Sequence, residues 1–227
     1  MAEKETRDKM MKWLNRLDRK IGRFAIPHLM ILLSGVMLGI YVWDFLMPEY
    51  GITSLLYLDL NLVAQGQVWR LITFLFLPPD TSVLWILFSL YFYCLIGNSL
   101  ENEWGAFRFN VFYLFGMAGA ILAALFTGGV GTNVYLNLSL FLAFAAIYPE
   151  FKVMVFFILP IKIKYLALLD LLFLLVMLVL GDWNIRISIL MSFLNVLLFF
   201  GGDFLRNLKQ QAGYWKTRRN FRKYNRR

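Results

Sequence analysis

The chain has 227 residues, of which 60% are hydrophobic, 18% aromatic and only 16% charged. A soluble globular domain has about a quarter charged residues, so this composition excludes a soluble enzyme and indicates a polytopic membrane protein. A single cysteine, Cys94, excludes an intramolecular disulfide, and one cysteine with one histidine, His28, cannot build a zinc site. Neither a cofactor nor a metal is expected.

Residues 1–25 are predicted to form a basic amphipathic arm in the cytoplasm. Apolar residues recur there at spacings of three and four, between eight Lys and Arg residues. This pattern is typical of a helix that lies on an anionic membrane surface. The arm does not resemble a signal peptide, because its charged region is too long and no small-residue cleavage site follows the next apolar run.

Six hydrophobic segments follow, and each is predicted to span the membrane. They cover about residues 26–46, 82–97, 107–127, 134–148, 165–180 and 186–204. A hydrocarbon core of ~30 Å requires about 20 apolar residues, so the second, fourth and fifth segments are short. Short spans indicate a locally thinned bilayer or helices that are shielded inside a bundle.

Two other apolar stretches are predicted to lie in the membrane interface. The stretch 47–81 is too apolar for an ordinary loop, and its aromatic residues favour structure embedded in the outer interface. The stretch 151–164 is interrupted by Pro160 and is predicted to form a hairpin at the cytoplasmic face. The alternative is a seven-span chain in which 151–164 is a helix.

The basic residues predict the orientation of the chain. If both termini are cytoplasmic, 21 of the 23 Lys and Arg residues lie inside, and only Arg70 and Arg186 lie outside. This asymmetry follows the positive-inside rule. We therefore expect a multi-pass protein of the bacterial plasma membrane, with an organelle membrane as the alternative.

The tail, residues 205–227, contains nine Lys and Arg residues and no acidic residue, and aromatic residues lie between them. Basic residues near a membrane surface bind anionic lipids. The same combination of basic and aromatic residues also suits an acidic partner such as ribosomal RNA. The lipid surface is the favoured partner for both the arm and the tail, and no nucleic acid is expected.

Several polar side chains fall at membrane depth. Those with hydroxyl or amide groups are Ser89, Asn137, Ser139, Ser192 and Asn195. Such groups most often hydrogen-bond between helices. Asp170 differs, because a carboxylate inside a span is costly and suggests a functional site. It lies about five residues from the predicted cytoplasmic end, so an ion pair with Lys162 or Lys164 is expected.

Two motifs resemble those of the rhomboid intramembrane proteases. Gly66-Gln67-Val68-Trp69-Arg70-Leu71-Ile72-Thr73 resembles the segment before the second span of that family, and the run 97–109 resembles its Gly-x-x-Leu-Glu-x-x-x-Gly turn into the third span. The resemblance covers residues 26–204. It implies an all-α, six-span rhomboid-like bundle with a membrane-embedded loop after the first span. The scaffold positions that it implies are Gly66, Gln67, Trp69, Arg70, Gly97, Leu100, Glu101, Gly105 and Arg108.

The chain departs from the family where the catalytic residues belong. Rhomboid proteases use a serine in a Gly-x-Ser-Gly turn of the fourth span and a histidine in the sixth span, which takes the serine proton. The predicted sixth span has no histidine, and His28 lies at the start of the first span. Two alignments of the serine motif remain open, one on residues 137–140 and one on residues 131–134.

The positions that correspond to the family's site are therefore degenerate. They are Trp85, Ser89, Asn133, Asn137, Ser139 and Asn195. Ser89 and Trp85 stand where the family has the asparagine and histidine of the oxyanion side, and loss of one such donor typically costs 10²–10³ in rate. Gly-rich packing between the fourth and sixth spans is replaced by bulky residues, which suggests a filled cleft.

The resemblance implies a catalytically inactive member of the rhomboid-like superfamily, in the sense of the derlins. Such a protein binds or holds transmembrane segments of client proteins, in the groove between the second and fifth spans, and this function is inferred by analogy. The alternative is an active intramembrane serine endopeptidase that uses Ser139 as its nucleophile, but the sequence supplies no general base for it. A small transporter or channel and a purely structural membrane subunit are further alternatives.

Overall fold

The structure, a computed structural model, describes residues 18–20, 22–79, 82–155 and 159–199. It is mostly helical, with 77% of its residues in helices. The elements in chain order are α1 (Leu29–Leu46), α2 (Ile52–Leu56), β1 (Leu58–Asp59), α3 (Leu60–Ala64), α4 (Arg70–Thr73), α5 (Val83–Trp104), α6 (Ala106–Thr127), β2 (Val130–Gly131), α7 (Val134–Ile147), β3 (Lys152–Val155), β4 (Leu159–Lys162), α8 (Ile163–Leu180) and α9 (Trp183–Phe199). Most of the predicted basic arm and all of the predicted tail lie outside the described residues.

Four helices of the described chain are long and apolar enough to cross a membrane. They are α1 with the short 3₁₀ turn before it, α5, α6 and α8. Helix α7 is shorter, since its 14 residues extend about 21 Å at a rise of 1.5 Å per residue. The structure describes α9 only as far as Phe199. The chain is therefore a largely helical, multi-pass membrane protein.

The second apolar helix is longer than predicted. The sequence indicated a span over 82–97 followed by a turn, but α5 continues without interruption to Trp104. The Ser99 hydroxyl donates a hydrogen bond to the backbone carbonyl of Leu95 over 2.7 Å, so this polar residue is accommodated within the helix. The chain turns only at Gly105, whose φ of 83° suits glycine. The predicted end of the second span at residue 97 was therefore too early, and the chain turns at Gly105, near the end of the run 97–109.

The core lies where α1, α5, α6 and α7 meet the segment between α1 and α5. The aromatic side chains that are fully buried there are Phe74, Phe109, Phe112 and Phe144. Helix α5 packs against α1, α6 and α7, and α7 packs against α6 and α8. Helices α5 and α8 therefore stand on either side of the short helix α7.

The segment between α1 and α5 is folded onto the rest of the molecule. Strand β1 pairs with β2 in an antiparallel ladder that matches Leu58 with Gly131. The Nδ2 amide of Asn133 donates to the carbonyls of Leu75 (3.2 Å) and Leu77 (2.9 Å). Both contacts hold the segment against the start of α7.

Strands β3 and β4 form the hairpin that was predicted for residues 151–164. They pair in antiparallel register, with Lys152 opposite Lys162 and Val153 opposite Ile161. Because the described residues of this stretch form strands up to Lys162 and α8 begins only at Ile163, the seven-span alternative with a helix at 151–164 is not supported.

Candidate functional site

Helix α7 presents buried polar side chains on two opposite faces. Asn137 and Ser139 are two residues apart, which separates them by about 200° around the helix axis. Ser139 is completely buried and faces α9, whereas Asn137 lines the groove that α7 forms with α5 and α8. The two faces are distinct sites.

The structure brings Ser139 together with Asn195. The Nδ2 amide of Asn195 donates to the Ser139 hydroxyl over 3.2 Å, and the hydroxyl donates to the carbonyl of Leu136 over 2.7 Å. One turn away, the Ser192 hydroxyl donates to the carbonyl of Tyr135 over 2.8 Å. The contacts of Asn195 with Ser139 and of Ser192 with Tyr135 are interhelical hydrogen bonds of the kind expected for these polar residues, and they join α7 to α9.

Close packing from α6 shapes this site. A Cβ on Gly116 would lie 2.9 Å from Asn195 Nδ2 and 3.1 Å from Leu136 Cγ, so only glycine leaves Asn195 its place. The cavity beside Ser139 has a volume of about 20 Å³, which is room for one water molecule. A substrate carbonyl and its flanking chain do not fit there.

The chemistry of the Ser139 site follows from these contacts. A serine hydroxyl becomes a nucleophile when a neighbouring base accepts its proton. The side-chain neighbour of Ser139 is an amide, which is not a base at neutral pH, and the hydroxyl proton is directed to a carbonyl of its own helix. Among the described residues, the site resembles a structural helix contact more closely than a catalytic pair.

The opposite face of α7 forms a groove of about 660 Å³ between α5 and α8. Its walls are mostly aromatic and aliphatic, with Phe92 from α5, Phe141 from α7 and Phe173 from α8 among them. The polar groups that face it are Tyr93, Asn137 and Asp170. A large apolar cavity with a few polar groups is the usual form of a binding site.

Asp170 does not make the ion pair that was expected. Its Oδ2 atom is buried without a hydrogen-bond partner among the described residues. Lys162 and Lys164 instead bind the carboxylate of Glu150. Hydrogen bonds from Lys162 and then Lys164 lower the pKa of Glu150 to about 2. Glu150 therefore binds both lysines, and no described residue compensates the charge of Asp170.

The remaining degenerate positions are not brought together. Asn133 is buried, but its side chain binds the carbonyls of the segment before α5. Ser89 is half-buried in α5, and Trp85 is 42% exposed; neither lines the groove or the Ser139 cavity. Of the two alignments left open by the sequence, the one on 137–140 places a serine hydroxyl in contact with α9. The one on 131–134 puts Asn133 at the serine position, and that side chain binds the segment before α5.

Arg70, one of the scaffold positions, makes three polar contacts. It is buried; its Nε donates to Gln67 Oε1 (2.7 Å), and its Nη1 donates to the carbonyls of Ser54 (3.3 Å) and Tyr57 (2.9 Å). Its guanidinium thereby ties three parts of the segment before α5. Trp69, its neighbour, is 50% exposed.

The other scaffold residues lie near the ends of α5 and α6 or, like Gly66, in the segment between α1 and α5. Leu100 is fully buried, and Glu101 accepts a hydrogen bond from the backbone N–H of His28 over 2.9 Å. His28 has a φ of 54° at the start of α1 and is exposed, as befits an interfacial residue. Gly66 adopts a φ of 102°, which requires glycine. Arg108 is half-buried near the start of α6.

Sequence reasoning missed two contributors to these sites. Gly116 was not singled out, although small residues at helix contacts are frequent in membranes. Tyr93 was also missed, because an aromatic residue in an apolar run gives no sign that it lines a groove. The spacing of Ser188, Ser192 and Asn195 does carry a signal, since steps of four and three place them on one face of α9.

No protein-family model and no curated protein sequence matches the chain. The fold and the two sites define a multi-pass membrane protein with an apolar groove between α5 and α8, and its function has to be argued from their geometry.

Proposed function

We propose that the chain is a catalytically inactive rhomboid-like membrane protein that binds transmembrane segments of other membrane proteins. In this proposal six helices span the membrane, namely α1 and α5 to α9, and both termini lie in the cytoplasm. The contact between Ser139 and Asn195 carries the proposal, because an amide occupies the place where a base would stand.

The arrangement of the helices supports this assignment. The segment between α1 and α5 is folded and ordered by Arg70, in agreement with the implied role of a membrane-embedded loop. Helix α7 is short and lies between α5 and α8. In a six-span chain these would be the fourth, second and fifth spans.

The groove between α5 and α8 supplies the binding surface. It is largely apolar, and a transmembrane segment is itself apolar, so contact replaces lipid with close side-chain packing. The short helix α7 also favours a locally thinned bilayer, which promotes association of mismatched helices. We further propose that the basic arm and tail bind anionic lipids.

Labelling with a fluorophosphonate probe tests the absence of catalysis. The detergent-purified chain, its Ser139→Ala variant and an active rhomboid protease are treated in parallel. We expect the control protease to be labelled and the chain to remain unlabelled. Labelling that disappears in Ser139→Ala would instead establish the alternative, an active serine endopeptidase.

A second variant distinguishes the lack of a general base beside Ser139 from the lack of space for a substrate there. Asn195→His places a base beside Ser139, but the adjacent cavity of about 20 Å³ stays too small for a substrate. We expect this variant to remain unlabelled as well. Labelling of Asn195→His that is lost in the double variant with Ser139→Ala would contradict the filled-site account.

A further inference from the structure

The groove beside α7 contains polar groups that the described chain leaves unsatisfied. Asn137 is only 5% exposed and lies beside the Tyr93 hydroxyl, which also lines the groove, yet neither its Nδ2 nor its Oδ1 atom has a hydrogen-bond partner of good geometry among the described residues. Oδ2 of Asp170 is likewise buried without one. Buried polar groups are normally paired, because leaving them unpaired is costly. Both side chains face the same groove, so a single occupant can contact both.

Within the part of the chain that the structure describes, no cation lies where it would compensate Asp170. The described residues that line the groove include neither Lys nor Arg. The nearest lysines of the hairpin, Lys162 and Lys164, bind Glu150 instead. Asp170 is therefore a lone carboxyl group in an apolar groove, and its chemical complement is a positively charged group.

The size of the groove fits part of a helix. A helix with its side chains is ~10–12 Å wide and rises 5.4 Å per turn, so about 660 Å³ corresponds to between one and two turns. Asp170 lies seven residues after the first residue of α8, which is about 10 Å along the helix. A complementary residue must therefore lie well inside the apolar part of the occupant.

We propose that the groove selects transmembrane helices that carry a single Lys or Arg at the depth of Asp170. The ammonium or guanidinium group donates hydrogen bonds to Asp170 Oδ2 and to Asn137 Oδ1. The inference rests on the proposed function and adds the chemistry of the partner. A basic residue at this depth is rare because it is costly in lipid, so its recognition distinguishes a few helices from the many that are wholly apolar.

Binding of designed helices tests the proposal. The chain is reconstituted in phosphatidylcholine vesicles with dansyl-labelled Leu/Ala helices of about 20 residues, and energy transfer from its tryptophans is measured. One helix carries Lys at the matching depth, and its control carries Met, which has similar length and no charge. We expect the Lys helix to bind about tenfold more tightly, which corresponds to ~1.4 kcal/mol.

Variants of the chain test whether the groove causes the preference for the Lys helix over the Met helix. Asp170→Asn removes the charge but keeps the shape, and we expect the preference for Lys over Met to fall to about twofold or less. Asn137→Leu should reduce it partly. The matched control is Asp182→Asn, which neutralises an exposed carboxylate before α9 and lies outside the groove; it should leave the preference unchanged.

The experiment distinguishes failure of the selection for a basic residue from failure of helix binding itself. If both helices bind equally well and Asp170→Asn has no effect, the selection proposed here is wrong while helix binding stands. If neither helix binds above the level of empty vesicles, both the selection and the proposed function are wrong. Lipid that co-purifies in the groove, together with absent helix binding, would identify a lipid site instead.

Discussion

Gly97 of α5 and Met30 of α1 pack so closely that a Cβ on Gly97 would overlap Cβ and Cγ of Met30. Both residues are buried, and α1 packs against α5 along this contact. A small residue at such a crossing allows two helix backbones to approach closely in a membrane. Gly97 therefore acts in the packing of α1 on α5.

Gly97→Ala should destabilise the chain by about 1–3 kcal/mol, because the added methyl group forces α1 and α5 apart. The penalty should exceed the gain of ~0.5–1 kcal/mol that alanine brings to a helix. Denaturation of the purified protein with sodium dodecyl sulfate, followed by circular dichroism, measures the change.

Gly39→Ala is the matched control for this substitution. Gly39 lies in α1, and a Cβ there meets nothing within 4 Å. This variant should be neutral or slightly stabilising. Equal effects of the two substitutions would mean that the crossing of α1 and α5 adapts freely.

Removal of the Arg70 side chain should loosen the segment between α1 and α5. Arg70→Ala leaves the carbonyls of Ser54 and Tyr57 without this donor, at a cost of about 2 kcal/mol or more. We expect faster limited proteolysis within 52–77 and a lower midpoint of unfolding. Arg70→Lys keeps the charge without the forked geometry and should be intermediate; a fully stable Arg70→Ala variant would contradict the structural role.

Substitution of Gly116 should disturb the contact between α7 and α9. Gly116→Ala puts a methyl group against Asn195 and Leu136, so we expect a destabilisation of about 1 kcal/mol or more. Gly119→Ala on the same helix is the control, since its Cβ would lie 3.6 Å from Met191, an ordinary contact distance.

A double-mutant cycle ties this effect to Asn195. Asn195→Ala vacates the space that the new methyl group requires, so the penalty of Gly116→Ala should shrink in the double variant. If the changes in the free energy of unfolding simply add in the double variant, the strain caused by Gly116→Ala does not arise from its contact with Asn195.

Hydropathy predicts much of the helical framework, but it places the end of the second segment too early. The predicted segments 107–127 and 134–148 nearly match α6 and α7, because turns and glycines bound them clearly. The second segment was cut short at Gly97, since glycine followed by polar residues is typical of a turn. A close helix crossing also requires a glycine, and a single sequence does not distinguish a glycine in a turn from a glycine at such a crossing.

The candidate sites were less predictable than the helices. The polar residues of α7 were recognised, but the face on which each lies relative to α9 or α8 depends on tertiary packing. The ion pair expected for Asp170 was wrong because Glu150, on the turn before the hairpin, engages both lysines. Sequence spacing shows that both lysines lie close to Asp170 along the chain. It does not show that a carboxylate from another part of the chain binds them instead.

The cluster of Glu150 with Lys162 and Lys164 predicts an acid-sensitive hairpin. Because these lysines lower the pKa of Glu150 to about 2, the carboxylate stabilises the folded state above its ordinary pKa of 4.5. This contribution is lost as the pH falls from there through about 2. We expect the thermal midpoints of the chain and of Glu150→Gln to differ above pH 4.5 and to converge toward pH 2.

Salt provides the control for this prediction. Glu150 and both lysines are solvent-accessible, so the difference in midpoint should shrink at high ionic strength. A difference that is independent of both pH and salt would mean that Glu150 acts through packing.

The pairing of β1 with β2 constrains the order in which the chain matures during synthesis. Val130–Gly131 and Asn133, which hold the segment between α1 and α5, come from the ribosome after the whole of α6. Until then the backbone groups of Leu58–Asp59 and the carbonyls of Leu75 and Leu77 lack these partners. The first half of the protein therefore completes its own tertiary structure only after α5 and α6 have been made.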